Sequence, residues 1–214
     1  MITVWGRKTS QNVFKVMWLL AELDLPHRRI DTGGRYGGLD TPEFGAMNPN
    51  RKVPVIKDGE LVLWESHSIL RYLSARYGAG TFWPGDPAER ALVDRWTDWC
   101  ATALQPAFMD LFWGYFRTPP EQRDWAFINS ALDRTIHLFG LMDEVLSRQP
   151  WLSGERLTMG DIPAACTIHR WYSLDLAKPR FAHVEAWFER LQERSAYREH
   201  VMVPFEELRG RLAF

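Results

Sequence analysis

Every segment with the pattern of a β-strand lies in the first part of this 214-residue chain, ahead of a stretch rich in glycine and proline. The first such segment is Ile2–Trp5, a short run of β-prone residues. From Asn12 the apolar residues recur at helical spacing, and Pro26 ends that pattern because proline cannot continue a helix. His27–Asp31 can then form a second strand, so the pattern predicts a β-α-β opening.

A hairpin and a helix follow this opening. The apolar runs Val53–Ile56 and Leu61–Leu63 flank an Asp-Gly pair, which is a strong signal for a tight turn between two strands. Helical spacing resumes after Ser66, a residue type that favours the N-cap position of a helix. In the loop before the hairpin we expect at most a short helix around Pro42–Met47. Residues 1–80 therefore predict an α/β domain with the element order βαβ-ββα.

The rest of the chain shows helical periodicity and no convincing strand. The glycine- and proline-rich stretch from Gly78 to Pro87 is the best candidate for a domain boundary. Beyond it, residues 87–214 predict a second domain that is all-helical. The helical patterns cover approximately residues 88–115, 120–148, 160–172 and 182–194. The predicted fold class is therefore α/β followed by all-α.

Composition excludes several classes of function. The formal net charge is −1 and neither sign forms a long run, so the chain has no electrostatic footprint for nucleic acid. No apolar stretch approaches the ~20 residues that span a bilayer, and the N-terminus lacks the layout of a signal peptide. The two cysteines, Cys100 and Cys166, are far apart, and the six histidines show no metal-ligand spacing. We therefore expect a cytoplasmic protein that binds no metal, nucleic acid or membrane.

Four short motifs resemble segments of one known family. Asn48–Val55 resembles the family segment that ends in Val-Pro, and Leu63–Leu73 resembles its Glu-Ser-x-x-Ile-x-x-Tyr-Leu signature. Thr9–Val16 resembles a first loop and helix, and Leu157–Pro163 a Ser/Thr-x-x-Asp box. Together they make the chain similar to cytosolic glutathione S-transferases of the theta-like bacterial type. The resemblance implies a thioredoxin-like first domain with a mixed four-stranded sheet and a helical domain that holds the second substrate. It also implies a homodimer in which the N-terminal half of one subunit packs on the helical half of the other.

The resemblance assigns glutathione to the first domain. Val53 precedes Pro54, whose peptide bond is cis in this family, and the valine main chain would pair with the cysteinyl main chain of glutathione. Glu65 and Ser66 lie where a loop passes into a helix, whose N-terminus favours an anion. The Ser66 hydroxyl and N–H suit the γ-glutamyl carboxylate, and Glu65 suits the ammonium.

The resemblance also implies residues at the glycine end of glutathione and in the pocket for the electrophile. Lys52, with Arg51 as the alternative, could face the glycine carboxylate of glutathione. Trp113 and Phe116 would line the electrophile pocket, although most aromatic residues at their spacing belong to the core. Thr158–Asp161 is a helix-capping box, so it stays outside the site.

The residue that activates the sulfur is sought in the first loop. No tyrosine or cysteine lies between Met1 and Asn12, which excludes the tyrosine-type and cysteine-type chemistry of the family at this position. The donors are Thr9, Ser10 and Asn12. One alignment puts Ser10 on the catalytic serine of theta-like sequences, and alignment by the helix lysine puts Asn12 on the asparagine of some bacterial relatives. We favour Ser10, because capping the helix would give Asn12 a sufficient alternative role.

The leading hypothesis is a transferase that joins the glutathione thiolate to a small hydrophobic electrophile. Glutathione is then a co-substrate, and no cofactor is bound permanently. A free thiol has a pKa of ~8.5, so the site must supply a hydrogen-bond donor and a positive potential to favour the thiolate. Two alternatives stay open: a glutathione-dependent disulfide or peroxide reductase without a catalytic cysteine, and a non-catalytic protein that binds glutathione or another ligand.

Overall fold

The N-terminal part of the protein has the predicted order of strands and helices. The computed structural model describes residues 1–213. The elements of this part are β1 (Ile2–Trp5), α1 (Gln11–Glu22), β2 (His27–Ile30), α2 (Pro42–Met47), β3 (Val55–Asp58), β4 (Leu61–Trp64) and α3 (Ser66–Tyr77). This order confirms the prediction of βαβ followed by ββα.

The four strands form one mixed sheet in the order β2-β1-β3-β4. Strand β1 runs parallel to β2 and antiparallel to β3, and β3 pairs antiparallel with β4. Val4 of β1 lies opposite Ile56 of β3, and both side chains are fully buried. They share a core with Leu20 of α1 and Leu70 of α3, two helices that contact each other. The central strands thus hold α1 and α3 at fixed positions.

The C-terminal part is helical. Its α-helices are α4 (Pro87–Trp99), α5 (Gln105–Leu111), α6 (Trp125–Leu146), α7 (Ile162–Ser173), α8 (Ala182–Gln192) and α9 (Ser195–His200). Wider π-helical turns at Cys100–Leu104 and Phe112–Arg117 extend α4 and α5 into one continuous helical rod. The six residues of α9 are too few to show a helical period, so the sequence pattern did not reveal this helix. No helix among residues 1–213 is long and apolar enough to cross a membrane.

Two local expectations were wrong at the starts of elements. Strand β3 begins at Val55 rather than Val53, because Pro54 has no N–H to donate to the strand ladder. Ser66 was expected to cap α3, but it is the first helical residue, and Glu65 occupies the N-cap position. The Glu65 main chain has a φ of +69°, and its carbonyl accepts the first helical hydrogen bond from Ile69 at 2.9 Å.

Candidate active site

The loop between β1 and α1 brings Ser10 to the start of the helix. Ser10 occupies the N-cap position, where its carbonyl accepts from the N–H groups of Val13 and Phe14 at 2.9 and 3.0 Å. Its side chain makes no capping hydrogen bond, so the hydroxyl is not engaged by the helix. The neighbouring Thr9 hydroxyl instead donates to Glu207 at 2.8 Å. Of these two hydroxyls, Ser10 is therefore the better placed to donate to a ligand.

Asn12 is oriented by its neighbours. Its Oδ1 atom accepts from Lys15 Nζ at 2.9 Å and from Gln105 Nε2 at 3.0 Å. An ammonium group only donates, so Lys15 requires the amide oxygen and leaves the Nδ2 donors turned away from it. The expectation that Asn12 caps α1 was wrong, because Ser10 holds the N-cap position and Asn12 lies inside the helix. The physical reason for preferring Ser10 over Asn12 is thereby removed.

Lys15 is a fully buried cation beneath these donors. Besides Asn12, its Nζ atom contacts Gln105 Oε1 at 2.6 Å and His67 Nε2 at 2.8 Å. Burial lowers the pKa of Lys15 to about 8. Burial, reinforced by the charges of Lys15 and Arg71, lowers the pKa of His67 to about 2. The imidazole is therefore neutral at pH 7, and Nε2 is the atom that accepts from the lysine.

A cleft of about 430 Å³ opens above the first turn of α3, and Asn12, Glu65 and Ser66 are among its lining residues. Ser66 is buried and begins the helix, whose unpaired N–H groups and dipole favour an anion. Glu65 is exposed directly before it, where its carboxylate can meet a cation. The cleft thus offers an anion site and an acidic group side by side.

The segment that precedes β3 lies close to the first loop. The Val53–Pro54 peptide bond is cis, as the resemblance implied. A Cβ atom added to Gly6 would lie 3.4 Å from Val53 Cβ and only 2.4 Å from Val13 Cγ2. The 2.4 Å distance means that glycine at position 6 permits the close approach to Val13 of α1. Gly6 thus lies against both Val53 and the start of α1.

The two cations considered for the glycine carboxylate have different surroundings. The Arg51 guanidinium donates to the main-chain carbonyls of Leu39 and Thr41 at 2.8 and 3.2 Å, so it stabilises the loop. Lys52 is exposed, and its main-chain carbonyl accepts from Asn48 Nδ2 at 2.8 Å. Both residues are exposed, and the Arg51 guanidinium is already held by the loop.

A smaller pocket of about 150 Å³ has Ser10 and Asn12 in its lining, together with Phe112 and Trp113. Trp113 is 38% exposed, whereas Phe116 is 1% exposed and stacks on Phe112 with ring centroids 5.1 Å apart. Trp113 and Phe116 both lie in a π-helical turn. In such a turn, two side chains three residues apart point in more different directions than they would in an α-helix. The structure therefore places Trp113 in the pocket and Phe116 in the core behind it.

Three arginines from separate parts of the chain also line this smaller pocket: Arg7, Arg117 and Arg170. Arg170 is buried, and its Nη2 atom donates to the carbonyl of Thr9 at 2.6 Å. Burial lowers the pKa of Arg170, and the charges of Arg7 and Arg117 lower it further. Guanidinium groups remain protonated near neutral pH, so this wall of the pocket is positive.

Comparison with known proteins identifies the family. Residues 9–76 match the model of the glutathione S-transferase N-terminal domain, and residues 104–195 match that of the C-terminal domain. The chain is 41% identical to glutathione S-transferase GstB of Escherichia coli K12, across 95% of this chain and 99% of that protein. This chain belongs to the glutathione S-transferase family. The match also confirms the thioredoxin-like first domain and the helical second domain of this glutathione S-transferase.

Solved structures agree with this assignment. The theta class glutathione S-transferase of Xanthomonas axonopodis pv. citri, crystallised with glutathione bound, superposes with a TM-score of 0.91. It is 46% identical to this glutathione S-transferase, across 95% of this chain and 98% of that one.

A further relative is the disulfide-bond oxidoreductase YfcG of Escherichia coli K12, which is 29% identical across 87% of this chain and 88% of its own.

Sequence reasoning missed Lys15, Gln105 and the arginines of this glutathione S-transferase. Lys15 lies within Val13–Leu20, a run in which every residue is buried. Arg170 likewise interrupts a largely apolar, buried helix. A charged residue inside such a run must find partners in the interior. That signal could have singled out Lys15 and Arg170, but not the partners, which lie far away in the sequence.

Proposed function

We propose that this protein joins the glutathione thiol to a small electrophile, with residues 1–80 holding glutathione and residues 87–214 holding most of the electrophile pocket. One observation carries the proposal. Asn12 lines both the cleft above Glu65 and Ser66 and the smaller pocket, where Ser10 joins it. A sulfur atom held at these donors would face the second substrate directly, so the reacting atoms would be close together.

Glutathione fits the larger cleft through its charged ends. Its γ-glutamyl carboxylate would accept from the Ser66 hydroxyl and N–H at the start of α3, and its ammonium would meet Glu65. The Val53 main chain, directly before Pro54, would pair with the cysteinyl main chain. Lys52 would face the glycine carboxylate from the exposed side of the loop. This arrangement directs the thiol toward the start of α1.

Ser10 and Asn12 would both stabilise the thiolate. The Ser10 hydroxyl is free of capping, and the Asn12 Nδ2 group is turned away from Lys15. Two donors beside the sulfur, together with the dipole at the start of α1, favour the anion and so lower the pKa of the bound thiol. The thiolate then attacks the electrophilic carbon, and the leaving group departs with the bonding electrons.

The thiolate absorbance of the glutathione complex, titrated against pH, tests this assignment. Ser10→Ala and Asn12→Ala should each raise the pKa of bound glutathione and lower turnover ~10- to 1000-fold, the scale of losing one transition-state donor. Glutathione affinity should change little. Ser130→Ala and Asn129→Ala, matched substitutions at exposed positions on α6, serve as controls. If neither Ser10→Ala nor Asn12→Ala shifts the thiolate titration, then Ser10 and Asn12 do not stabilise the thiolate, and the assignment is refuted.

The assembly that we propose is a cytoplasmic homodimer. Its proposed interface is a groove between α4 and α6, lined in part by Trp96, Trp99, Leu141 and Val145. Leu141 is 40% exposed in the single chain. A contiguous apolar groove on a protein surface is typical of an interaction site, and a second copy of the chain would cover it.

Glutathione-dependent disulfide reduction is the second candidate, and the likeness to YfcG favours it. Cys100 and Cys166 are buried, and burial raises the pKa of Cys100 to about 12. Neither cysteine is among the lining residues of the two clefts. The bound glutathione thiolate would therefore attack the substrate disulfide itself. A disulfide-reduction assay run beside a haloaromatic conjugation assay separates the two candidates.

A further inference from the structure

Lys15 is a buried cation behind the larger cleft. Its side chain is fully buried, so its Nζ atom cannot touch a ligand directly. The three donors of the ammonium group match three acceptors: Asn12 Oδ1, Gln105 Oε1 and His67 Nε2, at 2.9, 2.6 and 2.8 Å. All three of these partners line the larger cleft. Lys15 can therefore act on a ligand in that cleft only through these side chains and through its charge.

The charge of Lys15 has no carboxylate partner. None of the ion pairs among residues 1–213 includes it. The groups that act on it electrostatically are Glu65 and the thiols of Cys100 and Cys166. Burial raises the pKa of both thiols, that of Cys100 to about 12, so both are neutral at pH 7. Glu65 is exposed to solvent, and we assign its carboxylate to the ammonium of glutathione. A buried charge without a counter-charge is costly, so an anion that arrives with the ligand would be stabilised here.

The Asn12 amide connects this charge to the position that we assign to the sulfur. Lys15 and Gln105 both donate to Asn12 Oδ1, which leaves the Nδ2 donors of the amide for a thiolate. A cation at the oxygen of an amide makes its nitrogen a stronger donor, because hydrogen bonds in a chain polarise one another. The low dielectric of the interior also strengthens the attraction between the ammonium and an anion beyond the amide.

We propose that Lys15 is a positioning residue for the thiol, and that the thiolate of bound glutathione is the anion that compensates its buried charge. This inference rests on the proposed function and adds a residue to it. The thiol proton passes to solvent when the thiolate forms, and Lys15 keeps its own protons. The effect is reciprocal by linkage: the cation favours the thiolate, and the thiolate favours the cation by the same free energy.

A matched pair of ligands measures the reciprocal effect on the wild-type protein. Glutathione and S-methylglutathione carry the same charged ends, but S-methylglutathione has no ionisable thiol. NMR of the lysine side chains, titrated against pH, gives the pKa of Lys15 in each complex. We expect this pKa to be higher by about 1 in the glutathione complex, the lower end of the effect of an opposite charge at short range. Equal pKa values of Lys15 in the two complexes, with both ligands bound, would overturn the inference.

Lys15→Met tests the same coupling from the side of the thiol. The pKa of bound glutathione, measured by thiolate absorbance, should rise by about 1 in this variant. Lys57→Met, at an exposed position on β3, is the matched control, and an equal thiol pKa in the two variants would overturn the inference. If Lys15→Met does not fold, the NMR comparison decides. The Lys15 signal is then the one that remains after each of the other lysines is replaced in turn: Lys8, Lys52, Lys57 and Lys178.

Calorimetry and a conjugation assay separate this inference from the proposed function. If calorimetry shows that glutathione does not bind, both the proposed function and the inference fail. If glutathione binds and raises the pKa of Lys15 as expected, but no haloaromatic electrophile is conjugated, the transferase function fails and the role of Lys15 stands. If conjugation proceeds and the two complexes give the same Lys15 pKa, the transferase function stands and the inference fails.

Discussion

At the scale of single residues, Lys15 makes stability depend on pH. Burial lowers its pKa from the ordinary 10.5 to about 8. Between these values the unfolded chain holds a proton that the folded protein has released, so the free energy of unfolding rises with pH in this window. Relative to Lys15→Met, we expect the wild-type protein to gain up to about 3 kcal/mol between pH 7.5 and 10.5. Urea unfolding at both pH values measures the gain.

Comparison with the variant removes the contribution of every group that titrates alike in both proteins. Lys57→Met, which removes an exposed lysine from β3, is the matched control. If the wild-type protein and Lys15→Met show parallel pH profiles, the low pKa of Lys15 is wrong. The same variant removes the cation that orients the Asn12 amide. It therefore also reports, through the thiolate titration, how far Asn12 depends on that orientation.

At the scale of elements, the start of α7 depends on the predicted capping box. The box is confirmed: the Thr158 hydroxyl accepts from the Gly160 N–H at 3.3 Å. Asp161 is fully buried, and its carboxylate accepts from the N–H groups of Thr158 and Leu152 at 3.2 and 2.7 Å. Asp161→Ala leaves two buried donors without an acceptor. We expect it to lower the free energy of unfolding by about 2–4 kcal/mol in urea denaturation.

An exposed aspartate on a neighbouring helix provides the control. Asp133→Ala on α6 should change the free energy of unfolding by less than about 0.5 kcal/mol. The kcat of Asp161→Ala, measured well below its unfolding temperature, should equal that of the wild-type protein. A large loss of kcat at unchanged stability would instead move Asp161 into the catalytic machinery.

At the scale of the whole molecule, the proposed dimer covers the groove between α4 and α6. We expect Leu141→Glu to shift the molecular mass in light scattering from two chains to one at micromolar concentration. A carboxylate that is buried in this contact loses its hydration, which weakens association. Leu212→Glu, at a position that is 48% exposed near the C-terminus, should stay dimeric. A wild-type protein with the mass of a single chain would contradict the proposal directly.

Local sequence determined much of the fold. Pro26 marks the end of the first helical pattern, and the Asp58–Gly59 pair marks the β-hairpin, because both act through their own main chain. The positions at which the hydrophobic pattern changes from the period of a strand to that of a helix lie within a few residues of the observed ends of strands and helices. Glu65 and Ser66 were proposed from the resemblance to the family, and the junction of a strand and a helix at which they lie is a local feature. The sequence pattern could not reveal the short α9, because a helix of six residues does not complete two turns.

The sequence by itself therefore determined the order of elements, the family and the candidate glutathione residues. Only the tertiary structure decided which side chains meet. Lys15 contacts Gln105, which is 90 positions away, and both side chains donate to Asn12 Oδ1. The positive wall of the smaller pocket joins Arg7, Arg117 and Arg170 from three distant segments. The burial and the charge of these residues depend on how the helices pack against the sheet and against each other. The hydrophobic period of a single segment contains no information about that packing.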